Sequence, residues 1–299
     1  MMKEKLLMMK SILFNNIKLL VCFVLLYFFT VSYKEYKVLP GKSFEVFNAL
    51  LYKGVPNLKK EGFNDLFLFY EDDILDKNKS KNNEGGTINL KKIITIAKRS
   101  LNNPNTPVCL DIESWQLDDI HREESKKKYL EVLNNFTQIN KKSKIGYFGV
   151  FPMDSPHADY NYNSPIRETV IMPKWQESND YMKSVGYKSN VFYPVFYTRT
   201  KDRETWKKIV IEKVNKIREV NKTAKIYGFI WPNYYTDNGK YPFIEDDFWE
   251  FQLNVLHEYC DGAIIWSHYN GPEGTPINFN YNMGWYKVTQ AFIKKIKNK

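Results

Sequence analysis

Cysteine and histidine are scarce in this chain, and their scarcity removes whole classes of chemistry. Of 299 residues, three are cysteine and four are histidine. Cys22 falls in an apolar leader, which leaves Cys109 and Cys260. Each sits on or beside a predicted strand, where a cysteine serves as a small buried hydrophobe. Nothing in the pattern supports a disulfide between them. His121, His157, His257 and His268 are scattered, and no Cys/His group has the spacing of a zinc site. Glycine is sparse at 14 residues, and no glycine-rich phosphate loop follows a predicted strand. The Glu84-Gly85-Gly86 tip is an isolated turn, so a nucleotide-cofactor fold is not indicated and no cofactor is expected. Beyond residue 31 no run is apolar for long enough to cross a membrane. The formal charge is +10, yet the lysines are spread along predicted helices rather than gathered in a patch. A nucleic-acid partner is therefore not expected.

The first 32 residues read as a separate segment. Lys3, Lys5, Lys10 and Lys18 precede the apolar run Leu19 to Val31, and Thr30 and Ser32 are small residues before Tyr33. This is the pattern of a secretory signal peptide or, if uncleaved, of a signal anchor. Residues 33–299 then form one domain, expected to be monomeric and secreted or held at the cell surface. Its only membrane contact would be the uncleaved anchor. Asn78, Asn135 and Asn221 each begin an Asn-x-Ser/Thr sequon.

What the chain has in excess is aromatic residues, 16% of the total, with 7 Trp, 21 Tyr and 20 Phe. That suits a cleft lined with rings that stack on a flat ligand. The most informative stretch is VCLDIESW, Val108 to Trp115. Strand-forming residues lead into Asp111 and Glu113, two apart. Alternate strand residues share a face, so both carboxyls aim the same way with Cα atoms roughly 6.5–7 Å apart. Trp115 continues that face if the strand runs so far. Two acids this close do not both keep ordinary pKa values; one rises and holds its proton beside an anion. That pairing can break a glycosidic bond. By the residues alone, a strand end with solvated acids or half of a divalent-metal site fits as well.

Short apolar runs alternate with amphipathic helices along the rest of the chain. The predicted strands are Leu66 to Tyr70, Val108 to Glu113, Lys144 to Pro152, Val191 to Tyr197, Lys225 to Trp231 and Gly262 to Ser267, with an ill-defined one near Ser43 to Leu51. The predicted helices are Ile88 to Leu101, Glu123 to Ile139, Arg203 to Val220, Glu245 to Tyr259 and Trp285 to Ile296. Such alternation implies a parallel sheet with helices outside. Tyr70, Glu71, Asp111, Glu113, Tyr197, Tyr234, Tyr235 and Trp266 all fall at or just past the C-terminal ends of strands. In a closed barrel those ends ring one mouth. The expected fold is α/β, a distorted TIM-like (β/α) barrel of seven or eight strands. Asp154 to Tyr181 shows little regular pattern and is expected to cover the mouth as a loop.

In order and spacing these pieces resemble the hyaluronidase family, endo-hexosaminidases with a distorted β/α barrel. The resemblance covers about residues 45 to 298 and rests on six collinear pieces. These are FLFYEDD at Phe67, GTINLKKI at Gly86, LDIESW at Leu110, GYFGVFP at Gly146, MPKWQESNDYM with NVFYPVFYTR, and DGAIIWS at Asp261. The resemblance implies that Glu113 is the general acid and that the substrate's 2-acetamido oxygen is the nucleophile. Asp111 would then stabilise the charged ring so formed. Tyr197 would bond the acetamido group, Trp266 would wall its pocket, and Tyr70, Glu71, Trp115 and Tyr234 would contact sugar. The implied partner is a polysaccharide containing N-acetylhexosamine, cleaved with retention and without metal. Two positions depart from the family pattern. Gln116 stands where a basic residue follows the tryptophan, and Pro232 stands where a tyrosine follows the aromatic pair. A barrel that binds glycans without turnover is the alternative. A metal-dependent hydrolase using Asp111, Glu113 and Glu71 as ligands is a third reading.

Overall fold

The computed structural model describes residues 43–76, 85–154, 162–236, 241–269 and 275–298. The leader read over residues 1–32 lies outside them. Seven strands are parallel: β1 (Glu45–Ala49), β2 (Phe67–Tyr70), β5 (Val108–Asp111), β6 (Ile145–Tyr147), β7 (Val191–Phe192), β8 (Lys225–Ile230) and β9 (Gly262–Trp266). β3 (Leu75–Asp76) and β4 (Thr87–Ile88) make a small antiparallel pair after β2.

Two sheets carry the parallel strands, in the orders β1-β9-β8-β7 and β2-β5-β6. Isolated bridges join them at both seams. Phe148 pairs with Tyr193 between β6 and β7, and Phe47 pairs with Asn64 just ahead of β2. The strands thus run round the barrel in sequence order. At the first seam Gly146 is required, because a Cβ there would lie 2.1 Å from the Val191 carbonyl oxygen. Among the described residues the barrel strands number seven, the lower of the two expected.

Strand alternation divides the core in two. Phe47, Cys109, Val191, Tyr193, Tyr227, Phe229 and Ile264 fill the barrel interior as one cluster. Val46, Val108, Leu110, Ile145, Phe192, Ile226 and Ile265 face outward in a second cluster beneath the helices. Cys109 and Cys260 are buried and form no disulfide.

The helices are α1 (Leu90–Leu101), α2 (Arg122–Ile139), α3 (Met172–Lys188), α4 (Arg203–Val220), α5 (Asp246–Tyr259) and α6 (Gly284–Lys297), each touching the next. Asn89 caps α1 by accepting the Lys92 N–H, and Asp202 caps α4 by accepting the Glu204 N–H. Burial of the outward strand residues beneath this layer stabilises the fold by roughly 1.5–3 kcal/mol per large apolar side chain. No helix among the described residues is long and apolar enough to cross a membrane.

α3 corrects the expectation of a loop over Asp154 to Tyr181. From Met172 onward this stretch is helix, preceded by a π-helical turn at Arg167–Ile171, and it packs between α2 and α4. Residues 155–161 lie outside the described set. The buried stripe of α3 runs Met172, Trp175, Asn179, Met182, Val185 and Gly186. Asn179 and Gly186 break its apolar period. Asn179 is tolerated in the core because it accepts the Met153 N–H and donates to the Trp175 carbonyl. Gly186 admits the Phe151 ring.

Candidate active site

At the C-terminal ends of the strands lies a cavity of about 650 Å³. Period-2 alternation builds its wall. On five of the seven strands the inward-facing side chains lead to a residue that lines it: Leu68 then Tyr70, Cys109 then Asp111, Tyr193 and Val195 then Tyr197, Phe229 then Trp231, Ile264 then Trp266. Tyr197 is the centre of the aromatic wall. Its ring stacks on Trp266 at 5.6 Å and 26°, stacks on Tyr235 at 6.2 Å and 16°, and meets Trp231 edge-on at 5.9 Å. The Trp266 indole also hydrogen-bonds the Tyr70 hydroxyl, which burial pushes up to about 12.

β5 stops at Asp111, so Glu113 sits in a loop rather than in the strand expected for it. Three side chains hold that loop through four hydrogen bonds. Glu71 Oε1 accepts the backbone N–H groups of Glu113 at 2.7 Å and Ser114 at 2.5 Å. The Tyr129 hydroxyl donates to the Ile112 carbonyl at 2.9 Å, and Ser125 donates to the Gln116 carbonyl at 2.6 Å. Asp111, Glu113 and Glu71 therefore reach one cavity from two neighbouring strand ends.

The acids perturb each other. Burial, then the Glu113 and Glu71 charges, push Asp111 up to about 8. Asp111 Oδ1 is buried and accepts no hydrogen bond from a protein group. Burial, then Glu71 and Asp154, also raise Glu113. Both carboxyls of the Asp111-x-Glu113 motif are thus shifted toward their protonated forms, Asp111 in part by the Glu113 charge. The Tyr197 hydroxyl is raised by its burial and then by the Asp111 and Glu113 charges, so it stays protonated beside them. An acid next to an anion, with a hydroxyl donor and flat rings around them, can protonate a leaving oxygen and stabilise a developing cation.

Behind the wall, Asp154 pairs with Arg199 at 2.7 Å and Lys213 at 3.0 Å. Burial opposes ionisation of Asp154, and the two cations overcome it and hold the carboxyl low. The Arg199 guanidinium lies 5.0 Å from the Tyr235 ring. Among the described residues no group of three or more His, Cys, Asp or Glu side chains is placed to hold a metal ion.

Of the predicted site residues, Asp111, Glu113, Tyr197, Tyr70, Glu71 and Trp266 line the cavity together. Trp115 and Tyr234 do not. With β5 ended, the chain turns and Trp115 becomes 3% exposed, edge-on to Tyr129 at 4.9 Å, its indole donating to the Gly86 carbonyl. Tyr234 is 6% exposed and donates to Glu245 Oε2 at 2.5 Å, while its neighbour Tyr235 faces the cavity. Tyr235 was read beside Tyr234 at the end of the same strand, and past Ile230 no strand alternation remains to choose between the two.

No family model matches this chain, and no curated protein sequence does either. Solved structures do match. The crystal structure of bee venom hyaluronidase aligns at a TM-score of 0.52 with 14% identity, over 86% of this chain and 98% of that one. Bee venom hyaluronidase in complex with a hyaluronic acid tetramer aligns at 0.52 with 15% identity, over 86% and 97%. The fold is a TIM-like β/α barrel. More closely, it is similar to the barrel of bee venom hyaluronidase, at an identity low enough that the likeness is one of fold.

Proposed function

We propose that this protein is a retaining endo-glycosidase that cleaves polysaccharides containing N-acetylhexosamine with the help of the substrate's own acetamido group. One observation carries the reading: the Asp111 and Glu113 carboxyls, both raised by burial and neighbouring acids, line one aromatic-walled cavity at the strand ends. Glu113, on the loop over the cavity, gives its proton to the glycosidic oxygen as the bond from that oxygen to the anomeric carbon breaks. The acetamido oxygen forms the new bond to the same carbon, and Asp111 stabilises the charge that appears on the acetamido nitrogen. Glu113, now an anion, takes a proton from water, whose oxygen adds to the anomeric carbon and reopens the acetamido ring. Two displacements give net retention. Tyr197 donates to the acetamido group, and Trp266 and Tyr70 hold the sugar. No cofactor takes part in these steps.

The test is proton NMR of the first product formed from an N-acetylhexosamine oligomer, beside the same oligomer stripped of its acetyl groups. The reading predicts the retained anomer and no cleavage of the stripped chain. An inverted anomer, or equal cleavage of both chains, would overturn it.

A further inference from the structure

We infer that the cleft selects uncharged N-acetylhexosamine chains, of the chitin type, over chains that carry a uronic acid in every repeat. This rests on the glycosidase reading above and adds the charge class of its substrate. The ionisable side chains lining the cavity are the acids Glu71, Asp72, Asp111 and Glu113 and the single histidine His268, and no Lys or Arg lines it among the described residues. Two of these acids are surplus to the reaction. Glu71 is bound to the loop backbone, and Asp72 stands exposed at the rim. The cations beside the wall, Arg199 and Lys213, are each 3% exposed and engaged with Asp154. The Tyr235 ring stands between Arg199 and the cavity it lines. Gln116, which follows the Trp115 of the acidic motif, supplies no positive charge.

Among the described residues, a uronate entering this cleft would meet lining acids and no lining Lys or Arg. Like charges brought together in a partly desolvated site oppose binding, and such repulsion is an effective source of specificity. An uncharged sugar meets no such penalty. Its ring faces suit the Trp266 and Tyr197 planes, and its hydroxyls can donate to Glu71 and Asp72.

The experiment is calorimetric titration of the full chain carrying Glu113→Gln. The ligands are an N-acetylglucosamine hexamer, a hyaluronan hexamer, and the same hyaluronan hexamer with its carboxylates methyl-esterified. Turnover by the unsubstituted protein is followed in parallel. The expected result is at least about tenfold tighter binding of the uncharged hexamer than of native hyaluronan. Esterification should restore most of that gap, and added salt should narrow it. Asp72→Lys should improve binding of native hyaluronan relative to the uncharged hexamer and so narrow the gap between them. Equal or tighter binding of native hyaluronan would overturn the inference and leave the glycosidase reading standing. Selective binding of the uncharged hexamer with no cleavage of any chain would support the inference and overturn turnover. Failure to bind any of the three would overturn both.

Discussion

Asp111→Asn should make the protein more stable at neutral and alkaline pH while removing its activity. Asp111 moves from an ordinary 3.8 to about 8 in the folded protein, chiefly through burial. The folded state therefore binds this proton more tightly than the unfolded state. Stability falls as pH rises through the unfolded value near 4 and stops falling above about 8. Between about pH 5 and about pH 8 the linkage corresponds to at most ~4 kcal/mol, at 1.36 kcal/mol per pH unit. Solvent reaching the carboxyl through the open cavity roughly halves that, to about 2 kcal/mol. Asparagine keeps the shape and cannot ionise, so the variant should lack this slope. The assay is urea unfolding of both proteins at about pH 5, 6.5 and 8. The stability difference should grow in favour of Asp111→Asn by about 2 kcal/mol across the range. A pH-independent difference, or a variant that loses ground as pH rises, would refute the reasoning.

Other perturbations test the parts around this pair. Glu71→Gln removes one of the charges that raise Glu113 and keeps an oxygen for the Glu113 and Ser114 N–H groups. The alkaline limb of the kcat/KM profile should move to lower pH. Glu71→Ala should in addition lower kcat by about 10–100-fold because the loop loses its anchor. Trp115→Phe should leave KM within about twofold, whereas Trp115→Ala should cost about 3–5 kcal/mol in urea unfolding; a large KM change in Trp115→Phe would return this residue to the cleft. Gly146→Ala should destabilise by about 3 kcal/mol or more, read as a fall in the unfolding midpoint, since its Cβ meets the Val191 carbonyl.

The barrel could be read from the chain because its strands are short unbroken apolar runs and its helices carry clean stripes. Arg203–Val220 is helix over the range that its Trp206, Ile209, Val210, Val214 and Ile217 spacing predicts. α3 escaped because a satisfied asparagine and a glycine that fits a phenylalanine ring sit where the pattern demands apolar residues. The cavity residues Tyr70, Asp111, Tyr197 and Trp266 were legible as strand ends. Trp115 was misplaced by extending the strand face past Ile112, where the strand has already stopped. The hold of Glu71 on the Glu113 loop spans 42 residues, and no local spacing signals a contact of that range.

The most direct measurement is reducing-end release from N-acetylhexosamine oligomers by the unsubstituted protein and by Glu113→Gln, with and without a chelator. A general acid contributes about 10²–10⁴-fold. The proposed mechanism predicts chelator-insensitive cleavage that falls at least that far in Glu113→Gln, with the unfolding midpoint unchanged. Equal activity in the variant, or activity that vanishes with chelator, would contradict it.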